Sequence, residues 1–252
     1  MISERRFASS FDGFWSELLP LLTPTFVHMV GEAYKESLTD AFGSPLKPVE
    51  HRADTDRSVI AEFAFYLAKN AIEKGITIRA AYDDPTVRSQ AETTAGAVVR
   101  LYEGAVQYPS SELSDEDLLE GLSIAENYQP FLQEMLALGS PVFNPIIAGA
   151  GFLQTCQADI AIGRGLFEVK TVARNIAGKD IRQLIVYLAL QAATSEPRWT
   201  VGGFFNPRKA EYHRFEVDEL IAKISGGRSA SEIYHTLIDF ACSWDVQIDT
   251  AF

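Results

Sequence analysis

Cysteine, histidine and long apolar runs are all scarce in this 252-residue chain. The two cysteines, Cys156 and Cys242, lack metal-type spacing and are too few for a disulfide scaffold. The four histidines, His28, His51, His213 and His235, are scattered, so solvated or core roles are the default for them. The most apolar stretches, residues 18–30 and 184–193, are too short to span a bilayer, and Pro20 and Pro24 interrupt the first. Arg5 and Arg6 have no apolar core or small-residue cleavage site behind them, so no signal peptide is expected. No membrane partner is expected either, and a reducing cytoplasm is the expected compartment. Phosphate loops, Gly-x-Ser-x-Gly elbows and paired-cysteine motifs are missing, and Gly149-Ala150-Gly151 reads as a turn.

Net positive charge is missing too: the formal charge is −12, which argues against a non-specific nucleic-acid coat. Residues 159–214 depart from that average, with nine basic against five acidic side chains, a net of +4 that leaves −16 elsewhere. Such a split suggests a polyanion-facing region on an acidic body. Hydrophobic residues make up 47% and charged residues 22%, an ordinary globular balance with length enough for a real core.

Periodicity predicts a helical region over residues 1–110. Phe11, Phe14, Trp15, Leu18 and Leu19 recur at helical spacing, and Phe26, Val30, Ala33 and Tyr34 carry a second helix toward Gly43. From Asp56 to Lys74, Ile60, Phe63, Ala64, Leu67, Ala71 and Ile72 form one stripe that Gly75 stops; Glu62 there reads as a solvated flank rather than a ligand. Asp84-Pro85 opens another helix. Around 108–111 the character changes, and residues 111–252 form a second region. Ser114 caps a helix reaching Leu138, which Pro130 kinks or splits. Strands follow at 142–148, 155–162 and 166–172, a helix at 179–193, strands at 199–205 and 212–217, and short helices at 218–224 and 229–240. This order predicts an α/β or α+β core. Trp199, Phe204 and Phe205 read as core; Arg208 and Lys209 read equally as phosphate contacts or a solvated hairpin.

Within 159–172, DIAIGRGLFEVKTV, Glu168 and Lys170 interrupt an apolar strand. Eight lysines and 34 acids supply about one such acid-x-lysine pair by chance, so its setting must carry the meaning. Residues two apart in a strand share a face, so these two project together. Gly163-Arg164 reads as a two-residue type II′ turn, which puts Asp159 opposite Glu168. A turn at Arg164-Gly165 instead sets Asp159 against Lys170, and a three-residue loop sends it to the other face. Two carboxylates side by side call for a hard cation, Mg²⁺ or Mn²⁺, which takes a few protein oxygens and leaves room for phosphate.

Asp159, then Glu168-Val169-Lys170 at the end of a hydrophobic hairpin, resembles the PD-(D/E)XK nuclease superfamily. Gln183 and Tyr187 on the next helix resemble the Gln-x-x-x-Tyr motif of its RecB-like branch. The resemblance spans about residues 114–217 and implies a restriction-endonuclease-like core of mixed β-sheet flanked by helices. It implies that Asp159, Glu168 and the Val169 carbonyl are metal ligands and that Lys170 is the catalytic lysine. Gln183 and Tyr187 would support the site or contact DNA, with Arg174, Lys179 and Arg182 near them. The superfamily often adds a helix glutamate; the candidates are Glu120, Glu126 and Glu134, with Glu126 preferred although spacing does not choose. Ala158 holds the place where proline is usual.

The expected function is therefore a Mg²⁺-dependent deoxyribonuclease. Its acidic body calls for a protein partner or a second copy to deliver DNA, and fold-level analogy suggests a bacterial defence or repair complex. The rival from another class is a catalytically inactive nuclease-like module that binds protein or nucleic acid.

Overall fold

The computed structural model describes residues 1–51, 57–103, 113–194 and 198–243. The fold is mixed α/β. The first helices are α1 (Glu4–Ser9), α2 (Asp12–Leu18) and α3 (Pro24–Ala33), followed by strand β1 (Lys35–Ser37). Next come α4 (Arg57–Lys74), α5 (Ile78–Asp83), α6 (Pro85–Glu103), α7 (Asp115–Glu126) and α8 (Tyr128–Glu134). Strands β2 (Pro141–Phe143), β3 (Ile146–Ile147), β4 (Cys156–Gln157), β5 (Ile160–Ile162) and β6 (Gly165–Val169) lead to α9 (Gly178–Ala192). The described chain closes with β7 (Val201–Asn206), β8 (Glu211–Glu216), α10 (Val217–Ser225) and α11 (Ala230–Ser243).

Six strands form one mixed sheet in the order β1-β8-β7-β6-β5-β2, and β3 pairs with β4 apart from it. β6 and β7 run parallel, which requires a crossover, and α9 provides it. The central strands β5, β6 and β7 are buried on both faces because helices cover both. Ala161, Leu166, Phe204 and Phe215 pack with residues of α1, α2, α3, α9, α10 and α11. Their neighbours in sequence, Ile160, Phe167 and Phe205, point the other way, into a core built with α4 to α8. Helices from before residue 110 thus enter both layers, and β1 is an edge strand of the large sheet. The expected boundary near 110 and the expected helix start at Asp56 lie outside the described residues.

Several elements are shorter than periodicity predicts, for local reasons. The helix expected over 114–138 splits at Asn127, where Pro130 has no N–H to offer the Glu126 carbonyl four residues back and its ring crowds that oxygen; the Asn127 side chain there donates to the Pro207 carbonyl at 2.7 Å. Pro130 lies in the first turn of α8, where its missing N–H costs nothing. The strand expected over 142–148 divides at Asn144, whose φ is +51°. The helix expected to run toward Gly43 ends at Ala33 and gives way to β1. No described helix is long and apolar enough to cross a membrane.

Candidate active site

The site begins with the turn between β5 and β6. Facing pairs run Ile162 with Gly165, Ala161 with Leu166 and Ile160 with Phe167. Gly163-Arg164 is therefore the two-residue loop, and the next step outward sets Asp159 against Glu168. Gly163 has φ +51° and Arg164 does not have positive φ, the signs a type II′ turn requires. A Cβ at Gly163 would also collide with the Leu138 carbonyl, so glycine is needed there twice over.

Asp159 occupies a bend just before β5, and its Oδ2 accepts the Val169 backbone N–H at 2.6 Å. Burial first, and the charge of Glu168 second, push the Asp159 carboxyl up to about 8, against the pull of Lys170 and the Val169 N–H. Glu168 is 1% exposed. Its Oε1 receives the Lys170 ammonium at 3.1 Å, while its Oε2 is buried with no hydrogen-bond partner. Lys170 Nζ also donates to Gln183 Oε1 at 3.1 Å and lies 3.9 Å from Asp180.

Gln183 and Tyr187 are buried one turn apart on α9, and Gln183 Nε2 donates to the Tyr187 hydroxyl at 3.0 Å. Both reach a residue that sequence reasoning missed. Glu4 on α1 accepts from Tyr187 at 3.1 Å and from Gln183 at 3.4 Å. Its one sequence signal, an acid behind Ser3 in a first helical turn, is also what a helix cap calls for.

The helix before the sheet supplies no carboxylate here. Glu126, the preferred candidate, pairs with Arg79 at 2.8 Å and is 42% exposed. Glu120 is buried against Arg208 and His51, and Glu134 is exposed. Glu62, expected on a solvated flank, instead lines the cleft beside Asp159, with its carboxyl pushed up by burial. That cleft is about 800 Å³, bounded by α1, α4, the end of β6 and the start of α9. Arg174 and Lys179 line it, but Arg174 is already held by both oxygens of Asp180, at 2.6 and 2.9 Å. Arg182 turns away to Asp12 and lies over the Trp15 ring, fastening α9 to α2. Arg208 lines the cleft from within its ion pair to Glu120.

Among the described residues no three His, Cys, Asp or Glu side chains stand together as a metal cage. Hard Mg²⁺ does not need one, since it is commonly held by one or two carboxylates and keeps waters and substrate oxygens for the rest. The all-oxygen set of Asp159, Glu168 and the Val169 carbonyl suits that ion, and the orphaned Glu168 Oε2 is the kind of buried acceptor a cation satisfies. No protein-family model, curated protein or solved structure matches this chain.

Proposed function

We propose that this chain is a metal-dependent nuclease that hydrolyses DNA phosphodiester bonds. The observation that carries this reading is one buried carboxylate, Glu168, with one oxygen held by Lys170 and the other orphaned, next to Val169 and Lys170, which line a large cleft together with Asp159. A buried charge left half-satisfied costs stability, so a fold gains by keeping it only where something else completes it. Asp159, Glu168 and the Val169 carbonyl would hold Mg²⁺ or Mn²⁺. Such an ion supplies Lewis-acid polarisation of a phosphate oxygen and acidifies a water. Lys170, held between Glu168 and Gln183, presents a fixed ammonium to the charge that develops on the phosphate or to the attacking water. The chain's charge of −12 opposes DNA, so delivery by a basic protein partner or a second copy belongs to the proposal.

Labelled single-stranded and duplex DNA, incubated with Mg²⁺, Mn²⁺ or EDTA, test it. Cleavage that needs the ion and disappears in Lys170→Ala is the expected result. Cleavage that survives in Lys170→Ala removes the lysine from its role. A different class, an inactive interaction module, is favoured by one observation: Arg174 and Arg208 at the cleft are already answered by acids. No cleavage of DNA or RNA under any ion, with no ion bound, decides for that module.

A further inference from the structure

We infer that Glu4 is a positioning residue for the lysine: it fixes the orientation of the Gln183 side-chain amide, and through it the place of Lys170. Lys170 is donor-only, so the Gln183 atom 3.1 Å from its ammonium must be the carbonyl oxygen. The amide nitrogen then carries two hydrogens that need acceptors in a buried site. One goes to the Tyr187 hydroxyl at 3.0 Å, the other to Glu4 Oε1 at 3.4 Å. A carboxylate is acceptor-only, so Glu4 at one end and Lys170 at the other leave a single amide orientation. Glu4 also takes the Tyr187 O–H at 3.1 Å, which keeps the hydroxyl's lone pairs toward Gln183. Without Glu4 that O–H has another acceptor in reach, the Gln157 carbonyl at 3.3 Å, while the amide keeps only the Tyr187 hydroxyl and loses the second of its two acceptors.

The N-terminal segment is built to hold Glu4 in place. Ile2 exchanges backbone hydrogen bonds with the loop before β4, donating to Phe152 at 2.8 Å and accepting from Gln154 at 3.1 Å. The Ser3 side chain caps α1, and the fully buried Phe7 anchors that helix, its carbonyl bonded by Trp15 Nε1 at 2.9 Å. Glu4 itself is 7% exposed and 3.7 Å from the guanidinium of Arg5.

The kinetic arm of the test rests on the nuclease reading; the spectroscopic arm does not. Glu4→Leu is expected to lower kcat for DNA cleavage about tenfold with KM unchanged, the usual scale for outer-shell partners. Glu4→Gln, which keeps a carbonyl oxygen, restores most of it. Because Glu4 acts through Gln183, the double variant Glu4→Leu/Gln183→Leu is no slower than Gln183→Leu alone. Independent, multiplicative losses overturn the inference, as does a wild-type kcat in Glu4→Leu. In ¹⁵N-labelled protein the Gln183 side-chain NH₂ exchanges slowly with solvent in the wild type and quickly in Glu4→Leu; equal exchange in the two overturns it. If the wild type cleaves no DNA, this exchange alone decides. Should Glu4→Leu not fold, Glu4→Asp, which keeps the charge and withdraws the oxygen, carries the same expectations.

Discussion

Glu120 and Glu168 are both fully buried glutamates paired to a base, and the difference between them separates a brace from the site proposed above. Glu120 Oε1 is met by Arg208 at 2.7 Å and His51 at 2.9 Å, and neither of its oxygens is orphaned. The pair joins α7 to the β7–β8 turn and to the segment at 49–51, since Arg208 also donates to the Val49 carbonyl at 3.4 Å. Glu168 has one partner, at 3.1 Å, and one empty oxygen. Where a buried ion pair only holds elements together, folding satisfies the acceptors from within the chain. Where an oxygen is left open behind a cleft, as at Glu168, the proposal above assigns its missing partner to a bound cation.

Four measurements would break or sharpen that contrast. The largest effect is on catalysis: Lys170→Ala and Glu168→Gln each lower DNA cleavage by about 10²- to 10⁴-fold. Glu168→Gln should still unfold within about 1 kcal/mol of the wild type, because the amide keeps an oxygen for Lys170, which is partly exposed and retains Asp180 at 3.9 Å, unlike the buried Arg208. A large loss of stability would make Glu168 a brace like Glu120. Next comes Glu120→Leu, which strands the buried Arg208 charge and costs about 3–5 kcal/mol in urea unfolding. Cleavage per folded molecule stays at the wild-type level; its disappearance would put Glu120 in the site. Third, Mg²⁺ at a hundredfold excess over its Kd stabilises the wild type by about 2.7 kcal/mol and leaves Glu168→Gln unmoved. Equal melting shifts in the two proteins would place the ion elsewhere.

The smallest effect tests another buried group without a partner. His213 is buried on β8 and does not line the cleft, and its Nδ1 has no partner. Burial first, and then Lys35 and Lys209 against the pull of Glu32, hold it down to about 4. Its native pKa is depressed, so the unfolded chain takes a proton that the folded one refuses. Its contribution is intact above about pH 6.5 and drains away toward pH 4, costing about 1 kcal/mol by pH 5.5. His213→Phe should flatten that slope in unfolding curves taken between pH 7 and 5. An unchanged slope would mean that His213 already has its partner.

How much of the site could be read in advance follows from contact range. Asp159 against Glu168 depends on a two-residue turn and the parity of a strand, and Gln183 beside Tyr187 depends on one helical turn; each is local geometry. Glu126 does not line the cleft, because its helix turns it to Arg79, a partner 47 positions away that no spacing rule connects to it. Glu62 lies on a helix whose apolar stripe was legible, but the stripe cannot say whether its flank meets solvent or a cleft. The break at Asn144 was likewise invisible, whereas Pro130 announced the split at Asn127 but not its bond to a carbonyl 80 residues on.

By itself, then, the sequence determined the α/β order, the shared face of Glu168 and Lys170 and, for either two-residue turn, the place of Asp159 beside them; the structure chose the turn at Gly163-Arg164. Those are properties of backbone sterics and side-chain periodicity, decided within a dozen residues. Only the tertiary structure decided that Glu168 keeps an empty oxygen, that Arg208 is spent on Glu120, and that Glu4 reaches Gln183 and Tyr187 across 179 and 183 positions. Those outcomes depend on which helix covers which face of the sheet, and a polar side chain finds its partner only after that packing has closed.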